Sequence, residues 1–118
     1  MIKNWIISIV VNTIALLAVN ELFQDVEIDG VTTAVIAAII LGILNAIVKP
    51  ILVVLTLPIT IISLGLFLFV INAITLMITQ GLLGTDFVIN GWGTAILAAI
   101  IITILNTILQ KILKEVLD

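Results

Sequence analysis

Residues 28–52 read IDGVTTAVIAAIILGILNAIVKPIL, and residues 89–113, 61 positions later, read INGWGTAILAAIIITILNTILQKIL. Fourteen of the 25 aligned positions are identical, among them Gly30/Gly91, Thr33/Thr94, Ala34/Ala95, Ala37/Ala98, Ala38/Ala99 and Asn45/Asn106. Each copy holds an uncharged, apolar or small run of about 18 residues, close to the ~20 needed to cross a hydrocarbon core of roughly 30 Å. The pair predicts a membrane protein assembled from two copies of one unit.

The repeat extends backwards from this stretch. Val11, Asn12, Thr13 and Ile14 match Ile71, Asn72, Ala73 and Ile74, and Asp25 matches Asp86 after a one-residue slip. Each unit is then a helical hairpin, one over about 4–57 and one over about 64–118, inside a single transmembrane domain 1–118. The expected fold is all-α, with four transmembrane helices as two tandem hairpins of the same orientation. Parallel repeats of that kind place the pseudo-symmetry axis along the membrane normal, which argues against an inverted-repeat transporter.

Composition points the same way. Of 118 residues, 64% are hydrophobic and 9% charged, against about 45–50% apolar and about 25% charged in a soluble domain. Cysteine and histidine are both absent, which removes disulfides, thiol chemistry and the commonest general base and metal ligand. The basic residues are four lysines in a chain of net charge −3, so a nucleic-acid footprint is missing. Nothing calls for a cofactor or a metal. The partners to expect are the lipid bilayer and either further copies of the chain or another membrane protein.

In chain order, the first span is expected over 5–23, opening on Trp5 as an interfacial anchor. Val19, Asn20 and Glu21 make a poor cleavage site, so this segment is expected to be retained as a helix. Asp25, Glu27 and Asp29 form an acidic loop. The second span covers 31–48 and meets Lys49 and Pro50, where a kink or break is expected. From 50 to 85 there are 36 residues without a charge, too long for one crossing at 1.5 Å per residue. Pro58 is the natural break, which leaves a third span over 59–80. Residues 51–57 then prolong the second helix, lie along the interface, or dip back into the membrane. A turn is expected over 81–86, and the fourth span runs from Trp92 to about Leu109, continued by an amphipathic tail with Lys111 and Lys114 exposed. Lys3, Lys49, Lys111 and Lys114 fall on one face of such a four-span chain, and Asp25, Glu27, Asp29 and Asp86 on the other. The excess of lysine marks the cytoplasmic side, so both termini are expected in the cytoplasm.

Three features are candidates for function. Gly30, Ala34, Ala38, Gly42 and Ala46 recur every four residues, as do Gly91, Ala95, Ala99, Thr103 and Thr107. Small residues at this spacing let helices approach closely; a strict four-residue period is a slanted ridge, suited to right-handed crossing, either within the chain or between copies. Each helix also carries an asparagine in its interior: Asn12, Asn45, Asn72 and Asn106. An unpaired amide in hydrocarbon costs several kcal/mol, so these face protein or water, as interhelical hydrogen-bond glue or as the lining of a polar path. Counted from the lysines, Asn45 and Asn106 belong to the cytoplasmic third and Asn12 and Asn72 nearer the midplane. Asn4, Ser8, Asn12 and Asn20 form a further polar ridge. Glu21 lies too near the acidic loop to serve as the deep carboxylate of a proton-coupled exporter. No nucleophile–base pair or phosphate-binding loop is present, so the chain does not read as an enzyme.

With these residues in view, Asn45 to Leu52 (NAIVKPIL), then Leu57-Pro58-Ile59-Thr60, Leu64-Gly65-Leu66-Phe67 and Val70-Ile71-Asn72-Ala73 resemble the core signature of the phage holin superfamily IV and its chromosomal, YvlD-like bacterial members. The resemblance covers nearly the whole chain. It implies a small four-span protein of the bacterial cytoplasmic membrane, holin-like or envelope-associated, with no catalytic residues to carry over. The family's apparent invariants fall on Asn45, Lys49, Pro50, Pro58, Gly65 and Asn72, where an architectural role such as a kink or turn is implied for Pro50, Pro58 and Gly65. Two functional expectations follow: a protein that acts by helix packing and self-association without turnover, or a small channel or carrier with an asparagine-lined path.

Overall fold

A backbone in lipid has no water to satisfy its N–H and C=O groups, and a helix satisfies them within one segment. The uncharged runs accordingly become long helices. In the computed structural model, which describes residues 2–117, α1 spans Ile2–Leu22, α2 Gly30–Leu55, α3 Leu57–Ile62, α4 Phe67–Leu83 and α5 Trp92–Leu117. Among the described residues, four helices are long and apolar enough to cross a membrane, the third of them counted through a 3-10 turn at Gly84–Asp86. α1 packs on α2 and α5, and α4 packs on the same two, so the helices close a ring in the order α1–α2–α4–α5. The Lys3 ammonium donates to the Leu117 carbonyl at 3.3 Å, so both chain ends lie at one end of this ring.

The other end is closed by an element the sequence does not announce. Strands β1 (Val26–Ile28) and β2 (Phe87–Ile89) pair antiparallel, with Val26 opposite Ile89, Glu27 opposite Val88 and Ile28 opposite Phe87. Among the described residues the protein is predominantly helical with four membrane-length helices, as expected, and carries in addition one short two-stranded sheet. Both strands alternate, so Val26, Ile28, Phe87 and Ile89 are buried while Glu27 points outward. Burying each such side chain contributes about 1.5–3 kcal/mol where the alternative is water. The outward N–H groups are covered by the neighbouring helices: Ile28 donates to Asn20 Oδ1 at 2.9 Å, and Ile89 donates to Gln80 Oε1. Backbone bonds flank the sheet, Asp29 N–H to Asp86 C=O at 2.9 Å and Asn90 N–H to Asp25 C=O at 2.8 Å.

Between the sheet and the middle of the bundle the packing is dry. Ala34, Ala37 and Ala38 of α2 and Ala95, Ala98 and Ala99 of α5 are buried with Leu16 and Val19 of α1 and Ala73 and Leu76 of α4. In lipid there is no hydrophobic force between helices, and small side chains secure the contact by letting backbones approach. Thr13 and Thr79 are buried in this half and turn back on their own helices, donating to the carbonyls of Ile9 (2.7 Å) and Thr75 (2.9 Å).

Two boundaries differ from the sequence expectation. α2 does not break at Pro50 but runs on to Leu55; the proline removes one helical hydrogen bond, which a membrane helix tolerates. The break comes at Thr56, ahead of Pro58, which sits in the first turn of α3 where its missing N–H is not needed. The third span does not begin at Ile59. α3 ends after Ile62, and Leu64 and Gly65 adopt φ of +58° and +88°. Gly65 N–H bonds Thr60 C=O (2.8 Å) and Leu64 N–H bonds Ile61 C=O (3.1 Å), the two bonds of a left-handed helix stop. α4 then starts afresh at Phe67, whose N–H bonds Ser63 Oγ at 3.1 Å. No residue of α3 is buried, although it is almost wholly apolar.

Candidate functional site

Away from the sheet the helices part and enclose a polar cavity of about 340 Å³. Its lining comes from all four long helices. α1 supplies Ser8 and Asn12, α2 supplies Gly42, Asn45 and Lys49, α4 supplies Asn72 and Thr75, and α5 supplies Thr103, Asn106, Thr107 and Gln110. Leu41 and Leu76, both buried, form the floor against the alanine layer. Lys49 and Gln110 mark the opposite, open end, where the termini lie.

The amides are joined in a chain of bonds. Gln110 Nε2 donates to Asn106 Oδ1, and Asn106 Nδ2 donates to Asn12 Oδ1, linking α5 to α1. Asn72 Nδ2 donates to Thr103 Oγ1 at 3.2 Å, linking α4 to α5. Thr103 and Thr107 pass their own protons to the carbonyls of Ala99 (2.7 Å) and Thr103 (2.8 Å), and Thr75 passes its proton to the Asn72 carbonyl (2.7 Å). Asn12 is buried, and its Nδ2 stands 3.5 Å from Ser8 Oγ. No buried side-chain nitrogen or oxygen among the described residues lacks a partner. Asn45 is exposed to the cavity mouth. No described lining residue is a carboxylate, so Lys49 is the lining's only formal charge.

The four asparagines expected from sequence thus meet in one cavity. The two depths assigned to them do not hold, since Asn12 and Asn106 touch. α5 continues as helix past Lys111 to Leu117. The small-residue ladder divides. Ala34, Ala38, Ala95 and Ala99 are buried between helices. Gly30 and Gly91 are not packed against the chain's own helices: both are exposed, with φ of +85° and +95° and no atom near the place a Cβ would occupy. They turn the chain from strand into helix, a backbone conformation that favours glycine. Gly42 also has open space where a Cβ would stand, and lines the cavity wall. Glu21 is exposed next to the sheet, away from the cavity. Thr103 and Thr107, placed in the ladder by size, act as polar lining instead. Their spacing to Asn106 and Gln110 on a helix is the signal that sequence reading passes over. The roles of Asn20 and Gln80 depend on strands too short to foresee.

A second hollow adjoins the first. Asn4, Trp5, Ser8, Ile9, Ala38, Ile39, Gly42 and Ala46 line a largely apolar groove of about 240 Å³ between α1 and α2. Ser8 and Gly42 border both spaces.

Comparison with known proteins agrees with this architecture. Over residues 3–108 the chain matches the family described as "Mycobacterial 4 TMS phage holin, superfamily IV". It is 48% identical over 98 residues to "Uncharacterized membrane protein YvlD" of Bacillus subtilis (strain 168), covering 83% of this chain and 82% of that protein. It is 33% identical over 108 residues to "Uncharacterized protein SCO3922" of Streptomyces coelicolor, covering 84% and 86%. No solved structure gives a significant match. With four membrane-length helices and a match across almost the whole sequence, the chain belongs to the superfamily IV phage holin family.

Proposed function

We propose that this protein is a non-catalytic, multi-pass protein of the bacterial cytoplasmic membrane that receives a polar group into a vestibule open to the cytoplasm and shut toward the outside. The observation that carries this reading is the cavity itself. Amides from four helices converge on a space that ends against a dry layer of alanine and leucine. The lining offers hydrogen bonds and one ammonium but no carboxylate and no activated nucleophile, which suits binding rather than turnover.

The orientation rests on charge. Lys3, Lys111 and Lys114 belong to the end where the termini lie, Lys49 stands at the cavity mouth, and Glu27, Asp29 and Asp86 belong to the sheet end. Loops rich in lysine stay inside, so both termini are assigned to the cytoplasm. We also take the halves to be tandem copies related by a dyad along the membrane normal. Supporting this, Asn20 and Gln80 bond residues 61 apart in the two strands, and Glu27 and Val88, also 61 apart, face each other.

The chain contains no cysteine, so a single Asn45→Cys variant tests the vestibule directly. A membrane-impermeant maleimide is expected to label it in inside-out vesicles and to leave it unlabelled in right-side-out ones. Labelling from the outside alone, or from neither side, rejects the reading. Self-association is a second reading, favoured by one observation: within the helical run of the α2 ladder, Gly42 is half-buried and Ala46 exposed, so that stretch is not fully covered by the chain's own helices. If copies meet there, Gly42→Leu lowers the oligomer size in mild detergent.

A further inference from the structure

We propose that the cavity and the groove beside it together hold one anionic phospholipid, with its phosphodiester headgroup among the amides and Lys49 and one acyl chain in the groove between α1 and α2. This rests on the vestibule reading and names its occupant.

The cavity selects by charge. Its lining presents donors from Lys49, Asn45 and Gln110 and offers no carboxylate. An ammonium in a partly desolvated wall calls for an anion, because charge taken out of water needs a counter-charge. A volume of about 340 Å³ holds roughly ten waters' worth of polar matter, enough for a phosphoglycerol group. A choline headgroup would bring a second cation beside Lys49, with neither an acidic nor an aromatic lining residue to receive it.

The groove supplies the other half of an amphipath. Trp5, Ile9, Ala38, Ile39 and Ala46 make it largely apolar, and it joins the cavity where Ser8 and Gly42 border both. Gly42 is the doorway: nothing lies within 4 Å of where its Cβ would be. Its counterpart in the second copy is Thr103, whose side chain occupies that place and is held by Asn72. The repeat therefore carries one doorway at this level where its symmetry would give two. The mouth lies at the lysine end with Trp5 beside it, the level at which headgroups and interfacial tryptophans sit. A polar pocket, an apolar slot and an opening between them match a lipid, whereas a free anion would use the pocket alone.

The full chain, purified in detergent, is titrated with dioleoyl phosphatidylglycerol, dioleoyl phosphatidylcholine, sn-glycerol 3-phosphate and inorganic phosphate, and binding is read by native mass spectrometry. Phosphatidylglycerol is expected to bind about fivefold to tenfold more tightly than phosphatidylcholine, the share one lysine confers near anionic headgroups. The two water-soluble phosphates are expected not to be retained. Lys49→Gln should erase the preference, Gly42→Leu should weaken retention of both lipids, and Ile108→Ala on the lipid-facing side of α5 should change neither. Asn45 carries no bond that holds the bundle together, so Asn45→Leu serves if Lys49→Gln does not fold, and should also reduce the preference. Equal retention of the two lipids overturns the inference, as does retention of inorganic phosphate, or a preference that survives Lys49→Gln or, where that variant does not fold, Asn45→Leu. So does a Gly42→Leu protein that changes from dimer to monomer with lipid retention unchanged, which would make the groove a contact between copies. Thr103→Cys in phosphatidylcholine nanodiscs separates the two levels of reading. Labelling by an impermeant maleimide without lipid preference leaves the vestibule standing and removes the lipid; absence of labelling removes both.

Discussion

Asn106 is the residue on which the polar lining turns. It accepts from Gln110 and donates to Asn12, so one side chain joins two others across two helices. Replacing it by leucine leaves Asn12 without its α5 partner, at a cost of about 1–2 kcal/mol. Asn106→Leu should therefore lower the unfolding midpoint in detergent, and adding Asn12→Leu should lower it by less than the sum of the two single changes. Leu64 makes the opposite case. It holds a left-handed conformation that costs a side-chain-bearing residue about 1–2 kcal/mol, and it is 93% exposed. Leu64→Gly should keep or raise stability, and Leu64→Val, with its branched Cβ, should lower it in the same thermal assay. At this scale the sequence was half legible. An asparagine in an apolar run is conspicuous because its burial is costly, so the four lining amides stood out. Thr103, Thr107 and Gln110 did not, because a threonine in a membrane helix can satisfy itself on the preceding turn and a glutamine near a helix end can reach water.

Among the elements, the long helices were legible for a plain reason: charge marks where each one leaves the membrane. The ends of α2 and α4 were not, because residues 50–85 contain no charge to mark an edge. There the stop depends on a backbone turn at Leu64 and Gly65, and leucine gives no sign of one. The strands were hidden by their length. Three residues are too few for a period of two to show, and Asp25, Glu27 and Asp29 read more readily as loop. Their stability comes from the helix ends. Removing the amide that covers the first strand, by Asn20→Leu, should speed hydrogen exchange at the Ile28 amide by at least about fivefold, for a lost bond of about 1 kcal/mol. The Ile89 amide, held by Gln80, should respond less.

Across the whole molecule, the two halves of the bundle do different things. The half beside the sheet is filled by alanine and leucine, and the half beside the termini is open and polar. A path through the protein would need the Leu41 and Leu76 floor to part. In the vestibule reading, Leu41→Ala and Leu76→Ala together should raise leakage of a small solute from liposomes, while Asn45→Leu should not. A protein that leaks as the natural sequence and is unchanged by the pair would instead carry its path elsewhere. The number of membrane-length helices was the part of this scale best read from sequence, because it needs only the lengths of the uncharged runs. The closed floor was not readable, since leucines and alanines in a membrane span look alike whether they face lipid or each other.

The sheet has one more consequence. Its two strands come from opposite halves of the chain, and neither finds another strand partner within its own half. A chain severed in the partly exposed turn 63–66 would give two fragments, each with an unsatisfied strand edge and an alanine face shaped for the other. Expressed together, residues 1–63 and 64–118 should reassociate and copurify through a tag on one of them, and Val88→Pro should abolish the reunion. Bisected, the protein becomes a heterodimer that mends itself.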